Sequence, residues 1–322
     1  MLTKRFILNT ILIVSTFTPT SSLNIPSNKL RSVLSNRNSG SPAILLPGIH
    51  DAISAKIFSN QGAHGLFLSG FGVSTTKAMP DIGLLTQTEM ENTLRSIIQT
   101  VDIPVIVDGD TGYGGAPNIR RTIRSFASAG ACAVTIEDQK FPKKCTYAAG
   151  QGVNIIPRDE SLSRIKMALK AKDEARDIDH KDIIIIARTD CRAALGFDEA
   201  LYRCKMYEDL GAEIVYAENL QTRQEYEILS KELEPTTKTI LAQLQTGQED
   251  QNLWDINEIG EMGYDLALFG VTPLQAYIQN LQECASAMMG KGGLVSDGVR
   301  LCSFDNLKEI AGFADYENFS RD

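Results

Sequence analysis

From residue 43 onward, eight short apolar runs alternate with longer amphipathic segments, and this alternation constrains the chain more than any other feature. The runs are AILLPG, GLFLSG, PVIVDGD, AVTIED, IIIIARTD, EIVYAEN, TILAQL and LALFG. Between them lie segments such as TQTEMENTLRSIIQTV, PNIRRTIRSFASAGA and RDESLSRIKMALKAKDEAR, whose apolar residues recur near i, i+3 and i+4 as an amphipathic helix requires. Strands alternating with helices predict a parallel sheet with right-handed crossovers. Eight such units predict an α/β fold of the (β/α)8 TIM-barrel type. An open doubly wound sheet is the alternative, but no GxGxxG opens the first helix after a strand, and GDTGYGG has the glycines without that spacing.

Composition narrows the chemistry. Lys+Arg 32 against Asp+Glu 40 gives a formal charge of -8, so no basic surplus marks a nucleic-acid partner, and small molecules or other subunits are expected instead. Three histidines, His50, His64 and His180, leave little for a His-rich zinc site or a Ser-His-Asp triad. Chemistry is left to carboxylates, Arg, Lys or Cys. The six cysteines form no CxxC pair, as in a reducing compartment. Five are expected to be buried or inert. Cys145 differs because it sits in the polar, Lys-flanked stretch FPKKCTYAAGQG, the electropositive setting of a reactive thiol.

Residues 1–41 read as a separate targeting leader, cleaved or disordered, with the barrel over 42–322. The leader contains Lys4, Arg5, Lys29, Arg31 and Arg37 but no acid, and the first carboxylate of the chain is Asp51. Lys4-Arg5 before FILNTILIVSTF looks like a secretory n- and h-region, and the Ser/Asn/Arg-rich continuation looks like a transit peptide. The apolar run falls short of the about 20 residues a membrane span needs. A plastid or mitochondrial address is expected before a cytoplasmic one, and no membrane attachment for the mature protein.

In a barrel the reacting groups lie at the C-terminal ends of the strands. Here those ends carry Ser69-Gly70-Phe71, Asp108-Gly109-Asp110, Glu137-Asp138, Arg188-Thr189-Asp190 and Glu218-Asn219. Carboxylates converging from Asp108, Asp110 and Glu137 repel unless a cation sits among them, and a hard divalent ion such as Mg²⁺ suits them. Ser69, Gly70 and Phe71 offer a hydroxyl and backbone N–H groups to an anion. Arg188 ends an apolar strand and needs either a substrate anion or a partner such as Glu218 or Glu137. Asp138 and Asp190 read as helix caps or solvated loop residues.

These blocks resemble the isocitrate lyase and phosphoenolpyruvate mutase superfamily over nearly all of the chain after Ala43. PGIHDAISAK, FLSGFGVS, MPDIGLLTQTE, VDGDTGYGG, NIRRTIRSFASAGACAVTIEDQ, PKKC and IIARTDC follow in its order. SGFGVSTTKAMPDIGLL looks most like the lyases that cleave oxaloacetate or substituted malates, and like the carboxyvinyl-carboxyphosphonate phosphorylmutase-like sequences related to them. The resemblance implies a barrel whose last helix, in the region from about 281, is exchanged between subunits, giving dimers that pair into tetramers. It implies Mg²⁺, with Mn²⁺ as a substitute, held by Asp108 and Asp110, with Asp81 and Glu137 reaching it directly or through water. Phe67, Ser69, Gly70, Phe71, Arg188, Glu218 and Gln243 are the implied substrate contacts. On the gating loop the resemblance implies Cys145 as acid/base, and Lys143 and Lys144 fit as groups that lower its pKa and attract a dianion.

Departures from the family pattern fall at the substrate end. Thr146-Tyr147 replaces the usual Gly-His, and Ala242-Gln243-Leu244-Gln245 stands where Ala-Asn and a following Glu are common. The leading expectation is a Mg²⁺-dependent carbon–carbon lyase acting on a small 2-oxo or 2-hydroxy di- or tricarboxylate, of oxaloacetate, substituted-malate or methylisocitrate type, through an enolate protonated by Cys145. A phosphonomutase or phosphonopyruvate hydrolase, and a carboxylate-binding pseudoenzyme, are the alternatives.

Overall fold

The computed structural model describes residues 25–38, 40–247, 253–290, 292–295 and 299–319. Its strands are β1 (Ile44–Ile49), β2 (Leu66–Leu68), β3 (Val105–Asp108), β4 (Ala133–Glu137), β5 (Ile184–Thr189), β6 (Ile214–Ala217), β7 (Lys238–Ala242) and β8 (Leu266–Phe269). They pair in parallel in sequence order, and β1 closes on β8 through Ile44 opposite Leu266. The eight runs read from the sequence are the eight staves, because a strand buried on both faces must be apolar throughout.

One α-helix precedes the barrel, α1 (Pro26–Ser35). The helices that follow the early strands are α2 (Ala52–Asn60), α3 (Gly70–Thr76), α4 (Gln87–Ile98) and α5 (Ala116–Ala129). After β4 come α6 (Thr146–Ala149) and α7 (Arg158–Asp177), and after β5 α8 (Arg192–Leu195) and α9 (Phe197–Asp209). The last are α10 (Arg223–Glu232), α11 (Ile256–Glu261), α12 (Thr272–Gly290), α13 (Phe304–Ala311) and α14 (Phe313–Phe319). No helix among the described residues is long and apolar enough to cross a membrane.

Two apolar layers hold the barrel. Ile123, Phe126, Ile165 and Leu229 pack helices on the outside of the strands, while Leu46, Phe67, Ile106, Ile186, Tyr216 and Leu268 fill the interior. Leu30 and Leu34 of α1 join the interior cluster, so α1 stoppers the barrel at the N-terminal ends of the strands. Charge pins it there. Arg31 forks onto Glu213 at 2.6 and 2.9 Å and reaches Asp182 at 2.6 Å, Ser27 Oγ donates to Asp182 at 2.9 Å, and Arg37 pairs with Asp265 at 3.1 Å.

This overturns the expected boundary at residue 41. The segment from Pro26 is part of the folded body, and its cations Lys29, Arg31 and Arg37 serve four acids, Asp102, Asp182, Glu213 and Asp265, which sit just before β3, β5, β6 and β8. The apolar run of the leader, residues 6–17, lies outside the described residues.

The C-terminal segment departs from the barrel. Leu274 of α12 is buried and Tyr277 meets the His50 ring at 5.6 Å, but Leu281 and Met289 beyond it are 53% and 87% exposed. The chain then turns back, and α13 lies against α2.

Candidate active site

A cavity of about 330 Å³ opens at the C-terminal ends of the strands. Phe67, Ser69, Phe71, Asp81, Asp108, Glu137, Lys143, Lys144, Cys145, Arg188, Glu218 and Gln243 all line it. The two remaining expected residues, Gly70 and Asp110, are bonded to residues that do.

The β3 end shows why glycine surrounds the acids. A Cβ on Gly70 would stand 3.1 Å from Asp108 Oδ2 and 3.2 Å from Asp110 Oδ1, and one on Gly109 would strike the Thr135 carbonyl oxygen at 2.4 Å. Asp110 itself adopts φ 47, a left-handed conformation uncommon outside glycine. The turn thus folds both carboxylates back over the barrel mouth. Asp108 accepts from Gly70 N at 3.2 Å, Asp110 N at 3.2 Å and Thr135 Oγ1 at 3.0 Å. Gly70 N–H, expected to face a substrate anion, is therefore committed to Asp108. Ser69 Oγ likewise caps α3 by accepting from Gly72 N.

One ammonium bridges two of the acids. Lys143 Nζ lies 2.8 Å from Asp81 and also ion-pairs with Asp110. Burial raises Asp108, but the charges of Lys143 and Arg188 and the N–H bonds hold it below the ordinary range. Asp110 is pushed up to about 7, by burial first and then by Asp108 and Asp81, against the pull of Lys143. Glu137 is raised by burial and by Asp190. Its Oε1 is buried and bonds to nothing.

That donor set fits a divalent cation: four carboxylates crowd one ammonium, one keeps an orphan oxygen and another holds a raised pKa, all signs of negative charge in excess. Among the described residues no three acid, His or Cys groups are drawn into a finished ligand set, and Lys143 occupies the space between Asp81 and Asp110.

Arg188 donates to Asp190 at 2.6 Å, pairs with Glu218 at 3.0 Å and approaches Glu137 at 3.6 Å. Its guanidinium also lies over the Tyr216 ring, 5.1 Å from the centroid. Glu218 takes a hydrogen bond from the Tyr216 hydroxyl, yet its Oε1 is buried without a partner. Burial raises Glu218 above its usual range.

Asp138 and Asp190 are not the caps or solvated residues expected. Both are buried. Asp138 accepts from Asp190 N at 2.9 Å, Thr189 Oγ1 at 2.6 Å, Arg203 Nη1 at 3.0 Å and Tyr207 at 3.1 Å. It locks the β5 end against α9, which in turn positions Arg188 through Asp190.

Loop residues divide the work differently from expectation. Lys143 faces the acids, whereas Lys144 Nζ turns to the Gly152 carbonyl at 2.8 Å. Gln139, which the sequence reading passed over, clamps the backbone of Lys144 with both ends of its amide, at 2.8 and 2.9 Å, and also bonds Asp190. The only available signal was its place directly after the Glu137-Asp138 strand end. Cys145 is half-buried in the cavity. Cys132, Cys191 and Cys204 are buried and burial pushes their thiols up, Cys191 to about 12, while Cys284 is half-buried and Cys302 exposed. Gln243 reaches the cavity, but its amide is spent on Trp254, accepting from N and donating to O at 2.8 Å each.

Comparison with known proteins gives the site its context. The profile of the family described as phosphoenolpyruvate phosphomutase matches residues 34–289. The 2-methylisocitrate lyase of Aeropyrum pernix is 31% identical over 92% of this chain and 90% of its own length. The chloroplastic carboxyvinyl-carboxyphosphonate phosphorylmutase of Arabidopsis thaliana is 32% identical over 85% and 76%. Among solved structures, oxaloacetate acetylhydrolase in complex with 3,3-difluorooxalacetate superposes with a TM-score of 0.81 at 26% identity, covering 92% of this chain and 96% of that one. With its closed eight-strand barrel and this match across most of its length, the chain belongs to the phosphoenolpyruvate phosphomutase family of the isocitrate lyase/phosphoenolpyruvate mutase superfamily.

Proposed function

We propose that this chain is a Mg²⁺-dependent carbon–carbon lyase acting on a small 2-oxo or 2-hydroxy carboxylate. The observation that carries the reading is that Cys145 shares one cavity with Asp108, Glu137 and Arg188. A thiol there provides a proton donor beside an anion site, which fits protonation of a carbanion and favours a lyase over the phosphonate-processing alternatives.

Asp108 and Asp110, with Asp81 and Glu137 directly or through water, would hold the ion. When bound, Mg²⁺ or Mn²⁺ supplies positive charge against which an oxyanion develops. Arg188 orients the substrate carboxylate, with Phe67 and Phe71 against its carbon skeleton. For a 2-hydroxy acid, the orphan Oε1 of Glu218 takes the hydroxyl proton, the carbon–carbon bond breaks, and its electron pair moves to the expelled carboxylate fragment. Cys145 then gives its proton to that carbanion. Gln139 holds the loop that presents the thiol, and closure of the loop keeps water from competing as donor.

The test is a screen for Mg²⁺-dependent release of pyruvate, glyoxylate or acetate from oxaloacetate, substituted malates, isocitrate and 2-methylisocitrate. Release from one of them, abolished in Cys145→Ala, supports the lyase. Turnover of phosphonopyruvate alone, followed by phosphorus NMR, moves the protein to the phosphonate branch. We also propose that the chain forms a homo-oligomer through α12, whose Tyr277, Leu281 and Met289 are exposed, and that residues 1–24 direct it to an organelle.

A further inference from the structure

We infer that Tyr147 sets the substrate range of the site: with Leu244, Leu268 and Val271 it forms an apolar wall that admits a malate-type dicarboxylate bearing alkyl substituents and turns away a tricarboxylate. The inference deepens the lyase reading above and rests on it for its turnover test.

The cavity is chemically lopsided. Its acids and Arg188 come from the ends of β3, β4, β5 and β6. The opposite side, at the ends of β7 and β8, contributes Ala242, Gln243, Leu244, Leu268, Gly270 and Val271. None of these is charged, and the Gln243 amide is already saturated by the Trp254 backbone. Tyr147 lines the same cavity from the loop after β4, with its phenol close enough to Glu218 for that carboxylate to act on it.

Charge decides what the wall can accept. Three cations line the cavity among the described residues, and each is engaged: Lys143 by Asp81 and Asp110, Arg188 by Asp190 and Glu218, Lys144 by the Gly152 carbonyl. A substrate with two carboxylates can use the metal site and Arg188. A third carboxylate directed at β7 and β8 would be desolvated against leucine and valine, with none of these three cations free to meet it and the Glu218 carboxyl nearby. An alkyl branch in that position gains contact instead, and one methylene in an apolar pocket changes specificity by about 10- to 200-fold.

The experiment compares kcat/KM for 2,3-dimethylmalate and 2-methylisocitrate, with Mg²⁺, in the wild type, Tyr147→Phe and Tyr147→His. The expected wild-type preference for the dimethyl substrate is about tenfold or more. Tyr147→Phe, which keeps the ring, should retain that ratio, and Tyr147→His, which replaces the apolar ring by a polar one, should narrow it about tenfold. Comparable wild-type turnover of both substrates, or an unchanged ratio in Tyr147→His, overturns the inference. Failure to turn over either substrate counts against the lyase reading itself, and the wall is then judged by calorimetry. Tighter wild-type binding of 2,2-dimethylsuccinate than of tricarballylate supports it, and equal or reversed affinities overturn it.

Discussion

Lys143 Nζ lies 2.8 Å from Asp81 Oδ1, which ties the segment carrying Cys145 to the acid cluster two residues away. The same ammonium pairs with Asp110. A divalent cation entering this cluster competes with Lys143 for the carboxylates, so metal occupancy and loop position are linked. Lys143→Gln is expected to bind Mg²⁺ several-fold more tightly, while its unfolding temperature without metal falls and recovers on adding Mg²⁺. Calorimetric metal titration and thermal scans with and without the ion check this. An unchanged metal affinity means that ammonium and metal do not share ligands.

Among the described residues, Cys145 is the only cysteine that lines the cavity. Replacing the thiol by a hydroxyl in Cys145→Ser removes the better proton donor without opening a core, because the side chain is half-buried. Turnover is expected to fall by about 10²- to 10⁴-fold, with binding of oxalate and the unfolding temperature unchanged. Full activity in this variant would remove Cys145 from the chemistry.

How much of this was legible in the sequence varies with the range of the interaction. The eight strands were legible because each is an uninterrupted apolar run, and the acids at their ends stand out against that background. Asp138 was misread because its partner Arg203 sits 65 residues later on α9, and nothing local to Asp138 announces a buried ion pair. The α1 segment was misread for the opposite reason. Its acid-free composition looks like a leader, while its docking depends on Glu213 and Asp182, which lie far along the chain. Gln243 lines the cavity, but the direction of its amide depends on the fold of Trp254, which no local pattern announces.

The pair formed by Asp138 and Arg203 is buried on both sides. Removing one member strands the other in the interior, a loss of about 3–5 kcal/mol. Arg203→Met is therefore expected to be strongly destabilised in urea unfolding, and to lose turnover as the β5 end relaxes and Arg188 shifts. The double variant Arg203→Met/Asp138→Asn should lose less stability than the two single losses added together. Strict additivity would show that the two groups are not coupled.

Exposed Tyr277, Leu281 and Met289 on α12 leave apolar surface that a second copy of the chain can cover. Light scattering on purified protein is expected to give a dimer or tetramer. Leu281→Glu should shift the mass downward and leave the barrel folded by circular dichroism. A wild-type monomer at micromolar concentration rules out the assembly.

The α1 clamp gives a stability change with a defined pH window. Burial alone would raise Glu213, but hydrogen bonds and charge from Arg31 and Lys172 hold it at about 2, below the ordinary value of 4.5. A carboxyl depressed in the folded state contributes stability that is complete above its unfolded pKa and is lost as pH falls toward the folded one. The difference in unfolding temperature between wild type and Glu213→Gln should therefore be largest near neutral pH, begin to shrink below about 4.5 and close toward 2. Because Glu213 is about one-third exposed, salt should reduce the difference as well. Arg31→Ala should weaken the pH dependence without abolishing it, since Lys172 still pairs with Glu213. A difference that stays constant from neutral to acid pH would mean that the Glu213 ion pair contributes nothing to the docking of α1, which would then rest on Leu30, Leu34 and the contacts to Asp182 and Asp265.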